Sequence, residues 1–183
     1  MIQGDRAVGL LAGLLLGDAL GAPCNGLKAG HIQQLLGGPV DGFLADPVLF
    51  PDKPDRVRLP GLHTSVGQQA LAIVAGAVDD ASGRGPLARA AAHLRALATD
   101  GPDEHRHLGA LRDPGKPLRR ALARWASDYP WEAEDHFAAE EPSEGAGPAA
   151  RGLACALVDG ADPVGAARLS ARGNRPEIGG AAS

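Results

Sequence analysis

One carboxylate stands inside an otherwise apolar, glycine-rich segment near the start of the chain. Asp18 follows a run in which Gly9, Gly13, Gly17 and then Gly21 recur every fourth residue among leucines. A carboxylate there must be hydrogen-bonded, paired or at a helix end, because burying an isolated charge costs too much free energy. The glycine spacing predicts a helix with a side-chain-free stripe that lets another helix or loop approach its backbone. Because the other positions are apolar nearly all round, we predict a buried central helix.

A second group of residues with metal-binding chemistry lies in the middle of the chain. Glu104, His105 and His107 are side-chain types that bind metal ions. The spacing fixes no further ligand, so a loop without a metal is the favoured interpretation. Residues 82–86, Ser-Gly-Arg-Gly-Pro, have the composition of a phosphate-binding loop. They lack the lysine context of a Walker motif, so a turn explains them better.

The elements that must position these residues are predicted to be helices. With 183 residues and a hydrophobic fraction of 44%, the chain is long and apolar enough for one domain with a substantial core. Aromatic residues make up only 3%, so the core must be built from Leu, Val and Ala, which favours helices. The net charge of -4 argues against a general nucleic-acid binder.

The cysteines and the apolar N-terminal run bear on the compartment. Cys24 and Cys155 lie far apart in the sequence, and we interpret them as reduced, buried thiols in the cytoplasm. The apolar run at residues 7–16 is too short to cross a bilayer, which indicates a protein without a membrane segment. A signal peptide is the alternative, but Asp5 offsets the basic start and Pro23 is a poor cleavage context.

The spacing of apolar residues and prolines divides the rest of the chain. We predict an all-α fold, a single compact helical domain over residues 1–183, without a strand-period stretch. A Ser65–Gln68 capping box opens the second long helix. The Pro-rich stretch 39–62 is predicted to be a long loop and the acidic stretch 128–145 a solvated connector. The predicted helices are the glycine-rich segment, part of 26–38, and then 65–78, 86–97, 117–125, 148–158 and 163–171.

The segment Gly17-Asp18-Ala-Leu-Gly21-Ala-Pro23, closing a glycine-rich apolar helix, resembles the opening of the ADP-ribosylglycohydrolase family. That family includes the dinitrogenase-reductase-activating enzyme and the crystallin J1-like proteins. Residues 145–151 are similar to a later family segment, Gly-Asn-Gly-x-x-Met-Arg, whose glycines let the backbone approach the diphosphate of ADP-ribose. In this chain the matching residues are Gly145, Ala146 and Gly147.

The resemblance implies an orthogonal helix bundle, here shortened, and a pair of magnesium ions held by carboxylates. It also implies hydrolysis of the bond between ADP-ribose and an amino-acid side chain. The family's glutamate falls on Asn25, which cannot act as a base. The family's Thr-Asp-Asp-Thr falls on Thr64, Ser65, Val66 and Gly67, so both carboxylates are missing. Thr64 and Ser65 are the residual metal positions, and the family's late Asp-x-Asp-Thr has no counterpart.

These departures leave several hypotheses open. The leading one is an ADP-ribosylglycohydrolase-like protein without efficient metal-dependent hydrolysis. A second is an active hydrolase that draws ligands from the acids of the Pro-rich loop: Asp41, Asp46, Asp52 or Asp55. A third is a non-catalytic module that binds ADP-ribose, or an ADP-ribosylated protein, through Gly145 and Gly147. A fourth is a fragment that exposes core surface or dimerises to hide it. Arg151 is predicted to pair with Asp18 or another acid inside the bundle.

Overall fold

Helices dominate the structure, which confirms the predicted all-α class. The computed structural model describes residues 4–49, 57–78, 92–94, 96, 111–112, 114–115, 118–120, 122–123 and 146–159. The elements in chain order are α1 (Gly4–Gly21), a 3-10 turn (Ala22–Cys24), α2 (Ala29–Leu36), β1 (Val48–Leu49), β2 (Val57–Arg58), α3 (Ser65–Val78) and α4 (Gly147–Asp159).

The core of the described residues lies between α3 and α4. Alanines at this interface, including Ala70 and Ala154 with no exposed surface, let the two helices approach closely. Ile73 of α3 is 2% exposed and fills the space between them. The Cys155 side chain is part of this core as a free thiol, whereas Cys24 is a half-buried free thiol. Leu94 and Leu118, from the described helical residues of 92–96 and 118–123, complete the core.

The prediction that α1 is a buried central helix is wrong. Ala19 is the one buried residue of α1, while Val8 is 69% exposed and Leu16 is 56% exposed. The predicted close packing on the glycine stripe is also wrong, because a Cβ added at Gly9 or Gly13 would meet no described atom within 4 Å. One face of α1 packs against the core, through Leu11 and Leu14 among others, and the glycines lie on the other face.

The length of α1 corrects the argument from the ten-residue apolar run. Because glycine and Asp18 do not interrupt the helix, α1 with its following turn is long and apolar enough to cross a membrane, by length and composition alone. The same test is passed by core helices of soluble proteins and by signal sequences.

The region between α1 and α3 contains α2 and a short antiparallel ladder. Helix α2 lies in the predicted segment 26–38 and ends at Gly37, whose φ of 76° favours glycine. The loop 39–62 was predicted to lack regular structure, but β1 and β2 pair within it, with Val48 opposite Arg58. An open pocket of about 290 Å³ lies between α2 and β1, lined by leucines of α2 and by residues 44–49, which include Asp46.

Other predicted elements are covered only in part. Helix α4 agrees with the predicted helix 148–158, and α3 agrees with 65–78. The described residues within 86–97 and 117–125 are helical. The acidic connector 128–145 and the helix 163–171 lie outside the described residues.

Candidate functional site

The Asp18 carboxylate sits against the first turn of α3. The Thr64 backbone amide donates to Asp18 Oδ2 at 2.7 Å, and the Gly67 amide donates to the same oxygen at 2.9 Å. The Thr64 hydroxyl donates to Asp18 Oδ1 at 2.9 Å and lies 3.1 Å from Oδ2. Both oxygens of the carboxylate therefore accept hydrogen bonds from the start of α3. A negative charge here also complements the positive end of the helix dipole.

The remaining N–H groups of this turn are paired as well. The Ser65 amide donates to the Arg112 carbonyl at 2.9 Å, and the Val66 amide donates to Thr64 Oγ1 at 3.1 Å. The Gln68 amide makes the first bond within the helix, to the Thr64 carbonyl. The backbone N–H groups at the start of a helix have no partner within the helix itself. In α3 each of these groups, from Thr64 to Gly67, has an acceptor elsewhere in the chain.

This arrangement corrects the predicted capping box. Thr64, one residue earlier than predicted, is the N-cap, since its hydroxyl accepts from the Val66 amide. The carboxylate that bonds to the N-cap amide comes from Asp18, not from residue 68. The Gln68 side chain instead accepts from the Arg112 amide at 2.8 Å.

A glycine at position 67 lets α1 and α3 meet. A Cβ at Gly67 would lie 2.8 Å from Leu15 Cδ2, 2.8 Å from His63 Cδ2 and 3.0 Å from Asp18 Oδ2. Real Cβ atoms essentially never approach that closely. The close helix approach that the α1 glycines were expected to provide is thus made by a glycine of α3.

Arg112 lies against this turn with both its backbone and its side chain. Its Nη2 is 3.0 Å from His63 Nε2. Because a guanidinium can only donate, Nε2 is the acceptor, and His63 is neutral with its proton on Nδ1. Burial and the adjacent positive charge of Arg112 lower the pKa of His63, and the Asp18 carboxylate offsets part of this effect. Burial also lowers the pKa of Arg112, against the opposing influence of Asp18.

A second guanidinium lies at the start of α4. Arg151 Nη1 donates to the Gln69 side-chain oxygen, and Gln69 Nε2 donates to the Ser65 carbonyl at 3.1 Å. Burial lowers the pKa of Arg151 to about 10, so it is still protonated at neutral pH. A Cβ at Gly147 would lie 3.1 Å from Arg151 Nη1, so the glycine leaves room for this side chain. Asp18 is not the acid with which Arg151 was predicted to pair, because its oxygens accept from α3. The alternative, a pair with another acid inside the bundle, stays a prediction.

The structure brings together only some of the predicted site residues. Thr64 and Ser65 are buried at the start of α3, and Val66 is half-buried beside them. Asn25, which follows the 3-10 turn, is exposed. Asp41 and Asp46 are exposed in the loop before β1, and Asp46 also lines the pocket between α2 and β1. Ala146 and Gly147 lie at the start of α4. The predicted positions outside the described residues are Asp52, Asp55, residues 82–86, Glu104, His105, His107 and Gly145.

The donor set at the start of α3 does not fit a divalent metal ion. Magnesium takes oxygen ligands with free lone pairs, carboxylates above all. The carboxylate here is Asp18, whose oxygens accept from Thr64 and Gly67. Among the described residues, the charged group that acts on this carboxylate is the Arg112 guanidinium and not a second acid. In the described part of the chain, no three His, Cys, Asp or Glu residues form a group that would hold a metal.

Sequence reasoning missed His63 and Arg112 as members of this cluster, and it gave the Gln68 side chain a different partner. Arg112 reaches α3 from a segment 44 residues beyond Gln68. It carries no motif and has no periodicity with α3, so no signal in the sequence relates the two. His63 could have been suspected as a site residue because it stands next to the family-like Thr64. A single histidine, however, forms no motif with a spacing that predicts a site.

The helical fold and the Gly-Asp carboxylate that joins the first helix to the second long helix define a class of all-α protein. A family model described as ADP-ribosylglycohydrolase matches residues 2–176, nearly the whole chain. The chain therefore belongs to the ADP-ribosylglycohydrolase family, which confirms the resemblance read from residues 17–23. No curated protein and no solved structure matches the chain.

Proposed function

We propose that this member of the family lacks, or is impaired in, the metal-dependent removal of ADP-ribose from proteins. Family membership associates the chain with ADP-ribose chemistry. The proposal concerns whether this chain still holds the family's catalytic magnesium ions. It rests on the positions where the family's carboxylates are expected, which are Asn25, Ser65 and Val66 here.

One observation carries this proposal: the Asp18 carboxylate is hydrogen-bonded to the start of α3 through both oxygens. A metal ligated by Asp18 Oδ2 would have to displace the bonds from Thr64 and Gly67 and leave these N–H groups of α3 without acceptors, which is costly. Arg112, which contacts His63 and Gln68, and Arg151, which donates to Gln69, add positive charge near the start of α3, which disfavours a divalent cation further.

The direct test is an assay of ADP-ribose release. Peptides ADP-ribosylated on arginine or on serine are incubated with the chain in magnesium, with and without a chelator. A metal-dependent ADP-ribosylglycohydrolase on the same peptides is the positive control. We expect no magnesium-dependent release from the chain. Release that a chelator abolishes would contradict the proposal and favour a hydrolase with ligands from the loop acids, of which Asp41 and Asp46 are described and exposed.

A metal-binding test separates missing ligands from missing substrate. The double variant Ser65→Asp/Val66→Asp restores the family's two carboxylates, and Ser65→Asn/Val66→Asn is the matched control of similar size without the charge. Binding of Mn²⁺, followed by electron paramagnetic resonance, is expected in the aspartate variant and not in the control or the wild type. Stoichiometric Mn²⁺ binding by the wild type would contradict the proposal.

A second candidate function is ADP-ribose binding without hydrolysis. The observation that favours it is the position of Gly147 at the start of α4, beside the Arg151 guanidinium and within the family-like segment. Calorimetry with ADP-ribose in a metal-free buffer should give the same affinity as in magnesium. A flat titration would remove this second candidate and leave the proposal on hydrolysis unaffected.

A further inference from the structure

A tight four-residue turn follows the 3-10 turn after α1 and leads into α2. The Leu27 amide donates to the Cys24 carbonyl at 3.0 Å, and the two residues between them are Asn25 and Gly26. Asn25 has φ -59° and ψ 120°, and Gly26 has φ 77°, which are the angles of a type II turn. Both central residues are exposed. We call residues 24–27 the Asn-Gly turn.

This turn places a side-chain carboxamide directly before an unhindered backbone nitrogen. The Cγ atom of an asparagine and the backbone nitrogen of the next residue can close a five-membered ring. The approach is easiest when the next residue is glycine, because glycine has no Cβ to block it. Gly26 meets this condition, and water reaches both residues because they are exposed.

The observed turn angles control when the ring can close. With ψ at 120°, the Gly26 nitrogen lies on the far side of the Cα–C bond of Asn25 from Cβ, so the peptide unit between the two residues must first rotate. The hydrogen bond of the turn joins Leu27 to Cys24 and does not involve this peptide unit. Gly26 accommodates the rotation, because glycine adopts positive and negative φ about equally well.

We propose that Asn25 is a site of spontaneous covalent modification, at which the Asn-Gly turn loses ammonia and converts to aspartate and isoaspartate. The electron pair of the Gly26 nitrogen forms a bond to Asn25 Cγ. The bond from Cγ to the side-chain nitrogen breaks, and ammonia leaves with the proton of the Gly26 amide. Water then opens the succinimide ring at either carbonyl. The net reaction exchanges ammonia for water, without an oxidant or a reductant.

The products change both the charge and the backbone at the end of α1. Each adds one negative charge to a chain of net charge -4. By resemblance, Asn25 also stands where the family has its glutamate, so a carboxylate would return to that position. Isoaspartate lengthens the backbone by one carbon, which should break the bond from Leu27 to Cys24. The modification does not depend on the function proposed above.

Peptide mass spectrometry of the incubated full chain tests the proposal. The chain is kept at pH 8.5, where the backbone nitrogen loses its proton more readily, and is then digested with trypsin. We expect the mass increase of deamidation in the peptide of residues 7–28, which contains Asn25, and methylation of that peptide by an isoaspartyl methyltransferase. A sample digested without incubation gives the background. Asn174, the other asparagine, precedes Arg175 and should convert more slowly.

Two variants assign the reaction to the Asn-Gly turn. Asn25→Gln keeps the carboxamide but requires a six-membered ring, so the mass increase in residues 7–28 should disappear. Gly26→Ala adds a Cβ beside the attacking nitrogen and should slow the conversion roughly 10-fold. Far-UV circular dichroism checks that both variants are folded. Asn25→Asp supplies the chromatographic reference for the aspartate product.

A synthetic peptide of residues 20–29 is the positive control for the chemistry outside the fold. In the intact chain the conversion should be slower than in this peptide, because the fold opposes the rotation of the peptide unit. A wild type left unchanged after the peptide has fully converted would overturn the proposal. A mass increase that persists in Asn25→Gln, an equal rate in Gly26→Ala, or a faster conversion of Asn174 would overturn it as well.

Discussion

The Asp18 carboxylate accepts a hydrogen bond of 2.9 Å from the backbone amide of Gly67, 49 residues further along the chain. The end of α1 thereby caps the start of α3, a task that a residue of the same helix usually performs. Since the carboxylate also accepts from Thr64, it fixes the position of α1 relative to α3. Asp18, which belongs to the family-like Gly-Asp motif, thus has a structural role in this protein.

Replacing this carboxylate is expected to destabilise the fold. Asp18→Asn removes the negative charge and presents an NH₂ group to backbone donors that need acceptors. We expect a loss of about 2–3 kcal/mol in the free energy of unfolding, the value of charged hydrogen bonds at a helix start. Urea unfolding measures it. Asp41→Asn, at an exposed loop carboxylate, is the control and should change stability by less than about 0.5 kcal/mol. Equal stability of the two variants would show that the hydrogen bonds of Asp18 to the start of α3 make no net contribution to the free energy of unfolding.

The space at Gly67 makes a second prediction. In Gly67→Ala the new methyl group would lie 2.8 Å from His63 Cδ2 and from Leu15 Cδ2. The leucine end can turn aside, but the His63 ring is held by Arg112. We expect a loss of about 1–3 kcal/mol, the usual cost of overpacking. Gly30→Ala in α2, where an added Cβ meets no described atom within 4 Å, should be neutral or slightly stabilising. Thermal unfolding of the pair compares them.

The pH dependence of stability should carry a contribution from His63. Its pKa in the folded protein is lowered by burial and by Arg112, so the folded state binds the proton more weakly than the unfolded chain does. The contribution is fully present above pH 6.5, the ordinary pKa of a histidine side chain, and is lost as the pH falls below 6.5 towards the folded pKa. His63→Gln keeps an acceptor for Arg112 and should flatten the slope of unfolding free energy between pH 7.5 and pH 5.

The control for this pH series is His31→Gln, at an exposed position on α2. Its profile should parallel that of the wild type. If His63→Gln kept the wild-type slope, the titrating group would have to be elsewhere, and the assignment of a neutral His63 would be wrong.

The sequence predicts those features of the fold and of the site that are determined by residues close together in the chain. The bounds of α3 and α4 follow from apolar spacing, and the need of Asp18 for a partner follows from the cost of burying a charge. The partners themselves do not follow, because Thr64 and Arg112 reach the site through contacts 44 to 49 residues apart in the chain. The exposure of α1 was missed for a related reason: an apolar helix has the same composition whether its second face is covered or not.

Gln69 and Arg151 provide a last test, of the contact between α3 and α4. Gln69 is 4% exposed, and its side-chain oxygen accepts from the buried Arg151 guanidinium. Gln69→Leu removes this acceptor and should cost about 1.5–3 kcal/mol, because a buried cation loses a hydrogen bond. Gln34→Leu, at an exposed position of α2, is the matched control with little expected effect.

The double variant Gln69→Leu/Arg151→Met separates the charge from the packing. If the cost of Gln69→Leu comes from the cation that it leaves behind, replacing that cation with an apolar side chain of similar length should recover part of the lost stability. Urea unfolding of the wild type, Gln69→Leu, Arg151→Met and the double variant gives the coupling free energy between the two residues. Additive losses would contradict the coupling and indicate that each side chain acts only through its own packing.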